Sequence, residues 1–237
     1  LIEKPLCPPS LEGCDELVRA AKAAGTFVSV GYNHVMCENT RRAEEVLRQG
    51  AIGTPLTIQA RVLEHWGGIF QAHPWLDGPK DTYLGFAARG GGACGEHSHS
   101  INIWQHFAAV LNLGRVTEVM AMLDMVEDGQ VQYDRLCQLS LKTEKGFVGS
   151  VVQDVITLPP QKYLRIQGDQ GFLEWRVNKD GGHDAVLLRD AAGALREDLI
   201  PKSRPDDFRG EINHVEEILQ GKRPADSPIS LERGLDT

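Results

Sequence analysis

The chain has 237 residues, 41% of them hydrophobic, and a formal charge of -8. That is enough apolar material for one large domain or two smaller ones. The acidic balance, with no basic run or interleaved aromatic stripe, excludes a nucleic-acid partner and favours action on small molecules.

No apolar run reaches the roughly 18 residues that a membrane span needs, and the N-terminus lacks a signal-peptide layout. Cys7, Cys14, Cys37, Cys94 and Cys137 are odd in number and never form Cys-x-x-Cys. They read as reduced thiols of a cytoplasmic protein, not as a disulfide framework or a structural zinc site. The chain opens on Leu1-Ile2-Glu3-Lys4-Pro5 and stops at Gly234-Leu235-Asp236-Thr237, so it reads as an excerpt of a longer protein. Ser10 is a candidate N-cap for a helix with Leu11, Cys14, Leu17, Val18 and Ala21 on one face, ending at Gly25. Thr26 to Tyr32 is mostly β-branched or aromatic, as in a strand buried on both faces. These two elements look like the end of a doubly wound domain, with a boundary near residue 35.

From residue 36 the pattern changes. A helix over Thr40–Gln49 closes at Gly50, and a strand follows over Leu56–Leu63. Glu64 to Arg89 is long, irregular and aromatic, like a functional lid or binding loop. A helix from Ser100 to Leu113 precedes alternating runs at Val119–Met125, Leu136–Leu141, Phe147–Val155, Tyr163–Ile166, Phe172–Trp175 and Ala185–Leu188. Glu144-Lys145-Gly146 and Gly168-Asp169-Gln170-Gly171 supply hairpin turns. The pattern predicts a mostly antiparallel open sheet with helices on one face. A final helix spans Asp206–Gln220. The fold class is thus α/β plus α+β, with residues 1–35 as a dinucleotide-domain remnant and 36–237 as a substrate-binding and oligomerisation domain.

Gly90-Gly91-Gly92-Ala93-Cys94-Gly95-Glu96-His97-Ser98-His99-Ser100-Ile101-Asn102 combines close-approach glycines with titratable groups at a helix start. Its Gly-x-Gly-x-x-Gly spacing matches a dinucleotide fingerprint, but Asp81–Arg89 before it lacks the required strand pattern. On a helix His99 and Asn102 share a face, with Glu96 one turn earlier. His97 and His99 would then diverge, which disfavours a metal chelate, and no metal is expected. A packed, hydrogen-bonded histidine is the other reading of His99.

Glu3-Lys4-Pro5, Gly31-Tyr32-Asn33, Gly50-Ala51-Ile52-Gly53 and the glycine-histidine segment, in this order, resemble the Gfo/Idh/MocA family of glucose-fructose oxidoreductase and inositol dehydrogenase. The resemblance covers nearly the whole chain. It implies a dehydrogenase using NAD or NADP, with a Rossmann domain followed by an open-sheet domain that often mediates homo-oligomerisation. It places Lys4 at nicotinamide and substrate, with Glu3, Pro5 and Asn33 on the cofactor side and a bond before Pro5 that is often cis. It makes His99 the catalytic histidine, with Asn102 where the family carries Asp. An amide orients an imidazole but supplies no charge. Glu96 could supply it, so the proton acceptor is either His99 supported by Glu96, or Lys4 with His99 binding the substrate hydroxyl.

His73-Pro74-Trp75-Leu76-Asp77 and Tyr83 are similar to loops in family members acting on sugars. Trp75 would stack on a sugar face while Asp77 and Tyr83 bind hydroxyls; alternatively Trp66 and Trp75 anchor a lid. Asn33 and His34 follow the first strand, where α/β sheets present ligand-binding residues or simply turn. Two functions stay open: oxidoreduction between a secondary alcohol and a ketone on a sugar or cyclitol, and a non-catalytic sugar-binding or assembly module.

Overall fold

The alternating runs pair into one eight-stranded sheet in the computed structural model, which describes residues 1–224 and 226–237. Its strands are β1 (Pro55–Leu63), β2 (Val116–Glu127), β3 (Gln132–Thr143), β4 (Val148–Asp154), β5 (Gln161–Gly168), β6 (Phe172–Val177), β7 (His183–Arg189) and β8 (Leu195–Pro201). They lie in the order β2-β3-β4-β1-β5-β6-β7-β8, antiparallel throughout except for β1 beside β4. The helices are α1 (Cys14–Ala24), α2 (Glu38–Arg48), α3 (Gly67–Ala72), α4 (Gly92–Glu96), α5 (His99–Val110), α6 (Arg204–Leu219) and α7 (Leu231–Asp236).

Parallel neighbours require a crossover. The chain between β1 and β4 holds α3, α4, α5 and the β2–β3 hairpin, and it returns α5 onto β1 and β4. The glycine-histidine segment is thereby carried over the middle of the sheet. Cross-strand partners share a face, so Ile58 and Ile166, Ala60 and Leu164, Leu164 and Trp175, and Trp175 and Val186 form one continuous buried layer. Trp104 of α5 and Trp175 of β6 are fully buried. Their indole N–H groups donate to the Ile58 carbonyl and the Thr40 hydroxyl, each at 2.9 Å. Gly149 makes room for the first, because a Cβ there would lie 2.6 Å from Trp104 Nε1.

Several expectations are corrected. Thr26–Tyr32 forms only isolated bridges, Val30 with Ile2 and Ser29 with Ser230, because no longer strand lies beside it. The α1 helix begins after Gly13, whose φ of 80° lets the chain turn into it, and not after Ser10. Within the long segment, α3 and short 3₁₀ turns at Pro79–Asp81, Tyr83–Gly85 and Ala87–Arg89 replace irregular chain. The α6 helix starts earlier than Asp206, because Ser203 and Asp206 form a capping box. Among the described residues, no helix is long and apolar enough to cross a membrane, and all five cysteines are free.

Candidate active site

The glycines of the 90–95 run serve packing within the chain. A Cβ on Gly91 would lie 2.2 Å from the Tyr83 carbonyl oxygen, one on Gly95 1.8 Å from that of Gly90, and one on Gly92 2.0 Å from Asp134 Oδ1. Gly90 lies against the Pro5 ring, across a Lys4–Pro5 bond that is cis. The run thus folds tightly on itself, the sheet and the Lys4–Pro5 segment. No strand precedes it: the chain before it is a series of 3₁₀ turns, so the dinucleotide-fingerprint geometry is absent there.

This folding brings Lys4 to Glu96. The Lys4 ammonium lies 2.9 Å from Glu96 Oε2 and donates to the Glu96 carbonyl at 2.7 Å, with both side chains 15% exposed. The Tyr83 hydroxyl donates to the same carboxylate at 2.7 Å. Burial by itself would raise the Glu96 carboxyl, but the charge and hydrogen bond of Lys4 and the Tyr83 hydroxyl outweigh it and hold Glu96 below its ordinary value. Burial, then the Glu96 charge, pushes the Tyr83 phenol up, so Tyr83 stays a donor.

Glu96 and His99 do not share a helix. The α4 helix ends at Glu96, His97 leaves helical geometry at φ -98° and ψ 22°, and α5 starts at His99. The His97 ring faces the Glu64 carbonyl at 3.2 Å. The His99 ring lies 4.6 Å from the His34 ring and edge-on to Tyr32. Burial, followed by His34, Lys4 and Lys162, pulls the His99 pKa well below an ordinary histidine. Burial, then Lys162, Lys202 and Lys4, does the same to His34. Both rings are therefore neutral at pH 7. Nδ1 of each is enclosed and without a hydrogen-bond partner, as is Asn33 Oδ1. Buried polar atoms of this kind are costly unless a ligand satisfies them.

Asn102 donates to the Thr237 hydroxyl at 3.1 Å. His73 bonds the Ile69 carbonyl and packs edge-on to Trp75, which is 73% exposed. Trp66, 7% exposed and packed on Phe70 and Tyr133, anchors the long segment together with the buried Leu84. The Asp77 backbone N–H bonds Asp81. Among the described residues, no hydrogen bond or ion pair joins His73, Trp75 or Asp77 to the Lys4–Glu96–Tyr83 cluster, and Glu3 is exposed.

Two buried residues beneath the segment escape sequence reading. Asp134 Oδ2 accepts the Cys94 N–H at 2.8 Å. Gln153 Nε2 donates to the carbonyls of Ala93 and Cys94 at 3.2 and 3.1 Å. For Gln153 the available signal is a lone polar residue on an inward strand position. Among the described residues His34, Cys37 and Asp207 bring ligand-type atoms within 4.8 Å of one another. The Lys202 ammonium, paired with Asp184 and Asp207, already supplies the positive charge there.

Residues 40–174 match the model of the GFO/IDH/MocA C-terminal domain. No curated protein matches the sequence. Among solved structures, aldose-aldose oxidoreductase from Caulobacter crescentus, complexed with glycerol, is 19% identical with a TM-score of 0.73, over 99% of this chain and 65% of that one. An inositol dehydrogenase homolog from Azotobacter vinelandii, complexed with NADH and myo-inositol, is 14% identical with a TM-score of 0.72, over 99% and 65%. A 3-ketoreductase from Actinomadura kijaniata, with NADP, is 19% identical with a TM-score of 0.71, over 100% and 66%. The chain thus spans about two thirds of the length of these proteins, and the likeness shows a common fold. With more than half of its residues matched by the family model, the chain belongs to the Gfo/Idh/MocA family.

Proposed function

We propose that this chain is the substrate-binding and proton-handling part of an NAD- or NADP-dependent oxidoreductase, interconverting a secondary alcohol and a ketone on a sugar, sugar derivative or cyclitol. Residues 1–35 are read as the end of a dinucleotide-binding domain and 36–237 as the substrate domain. Family membership and neighbours complexed with NADH, NADP, glycerol and myo-inositol support this reading. The observation that carries it is a lysine fixed by Glu96 across 92 residues, whose charge bears on a neutral His99 with an unused ring nitrogen.

The donor set suits both ligands. Asn33 Oδ1 is a buried free acceptor of the kind a carboxamide N–H satisfies, and with Glu3, Lys4 and Pro5 it would hold the nicotinamide end. That group, when bound, takes up or gives the hydride. The chain's own residues manage the proton. A substrate hydroxyl can donate to His99 Nδ1, and in oxidation its proton passes to the neutral imidazole. The Lys4 ammonium donates to the same oxygen as negative charge grows on it. Glu96 and Tyr83 hold Lys4 for that task, and in reduction His99 returns the proton. His34 Nδ1 is a second unpartnered acceptor suited to a neighbouring hydroxyl, and Tyr83 is held beside Lys4 through Glu96. Trp75, with His73 and Asp77, is assigned to an outer sugar contact. The exposed Val119, Met120, Met122, Leu123 and Met125 of β2 suit self-association through the sheet, which sedimentation of the protein would reveal.

The test is titration of the full-length protein with NAD(H) and NADP(H), then turnover on a sugar and cyclitol panel. Lys4→Ala and His99→Ala should each lower kcat by about 10²- to 10⁴-fold. Wild-type turnover in both variants would remove the assignment, and failure to bind either cofactor would favour the non-catalytic sugar-binding module.

A further inference from the structure

Inward positions of β1, β3 and β4 are mostly apolar: Ile58, Ala60, Cys137, Leu139 and Val151 are all buried. Gln153 interrupts them while being completely buried itself. An amide at such a place is unfavourable unless its groups are bonded. Here they all are. Nε2 donates to the Ala93 and Cys94 carbonyls within α4, and Oε1 accepts the Ser100 hydroxyl in the first turn of α5. Ser100 also donates to the His97 carbonyl at 3.1 Å. The amide therefore bridges the break between two helices, which His97 and Ser98 form with Glu96 and His99 on either side. A helix as short as α4, five residues, cannot hold its own geometry.

We propose that Gln153 is a positioning residue for the reaction: its amide sets the separation of Glu96, which holds Lys4, from His99. The inference rests on the function proposed above. Gln153 touches no substrate in this scheme; it acts through the backbone of residues 93–100. A side chain of similar size without the amide would fill the space and leave the two catalytic elements free to drift.

The test uses Gln153→Met, which keeps length and volume, together with Ser100→Ala, which removes the acceptor-side bond along with the hydroxyl's contact to the His97 carbonyl and leaves both Nε2 bonds in place. Gln138→Ala, on the exposed face of β3, serves as the control. Imidazole NMR titration of this chain reports on His97 and His99 without any cofactor. The His99 titration should move up towards that of an ordinary histidine in Gln153→Met and, less far, in Ser100→Ala. In the full-length protein kcat should fall about 10- to 100-fold with KM little changed, and the pH–rate profile should move with the imidazole titration. A folded Gln153→Met with wild-type titration and pH profile overturns the proposal. If Gln153→Met does not fold, a wild-type titration and profile in Ser100→Ala overturns it equally. If Lys4→Ala and His99→Ala keep full turnover, the functional reading fails, and the imidazole shift alone then decides whether Gln153 positions the segment.

Discussion

Replacing Asp134 by Asn should stabilise the protein above neutral pH, and the size of the effect follows from the site. Asp134 lies under α4, where burial raises its carboxyl from 3.8 to about 6, and the Cys94 N–H bond offsets only part of that. The folded chain therefore keeps a proton that the unfolded chain releases at lower pH. Stability from this group is fully present below the unfolded value and is lost as pH rises through about 6. At 1.36 kcal/mol per pH unit, the loss is about 3 kcal/mol as an upper figure. Asn is isosteric and neutral, and its carbonyl oxygen can still accept from Cys94. Urea unfolding of both proteins at half-unit steps between pH 3.5 and 8 isolates Asp134, since every other titrating group cancels in the difference. Relative to wild type, the stability of the Asp134→Asn variant should climb by about 1.4 kcal/mol per pH unit and level off above about pH 6.5. A difference that stays flat across this range refutes the reasoning, whatever its sign.

Burial lowers the pKa of His34 and His99, so their contribution has the opposite sign: it is present above about 6.5 and falls as pH drops below it. His34→Gln and His99→Gln should each flatten the acid limb of a thermal-melting profile, and an unchanged limb would show that the rings are not held neutral. Gly95→Ala places a Cβ 1.8 Å from the Gly90 carbonyl oxygen, so the backbone of the site must shift. It should lower stability by about 1–3 kcal/mol in chemical unfolding and release Lys4 from Glu96, which the Lys4 side-chain signal reports, with the His99 ring signal unmoved; a wild-type Lys4 signal would contradict that packing. Trp66→Ala should cost about 3–5 kcal/mol and Trp75→Ala under about 0.5 kcal/mol in the same assay, because only the first is buried. Equal losses would mean that Trp75 also anchors the segment.

The strands legible in the sequence are those whose inward face is apolar at period two. Leu164 and Ile166 in β5, or Leu173 and Trp175 in β6, announce their face without help. The β8 strand does not, because Arg196, Glu197 and Asp198 interrupt it and it pairs only with β7 at the sheet edge. Asp134 was hidden for a different reason. The register of β2 with β3 slips at Asp124/Met125, which leaves Arg135 unpaired, so Asp134 as well as Cys137 is buried. Period-two reading assigns those two residues to opposite faces.

Within the glycine-histidine segment, residue types pointed to a site but not to its pairings. Helical spacing couples His99 to Asn102 and Glu96, whereas the fold gives Asn102 to Thr237 and Glu96 to Lys4 and Tyr83. Such partners are tertiary, and local periodicity carries no information about them. The glycines explain why the segment can be built so tightly. Gly91, Gly92 and Gly95 let α4 press against the Tyr83 turn, Asp134 and the Gly90 carbonyl, which places Glu96 against Lys4. A larger residue at any of the three would push α4 off the sheet and break the Lys4 contact before it touched the imidazoles. Loss of the ion pair with His99 still enclosed is therefore the signature that separates damage to the glycine turn from damage to the Gln153 bridge.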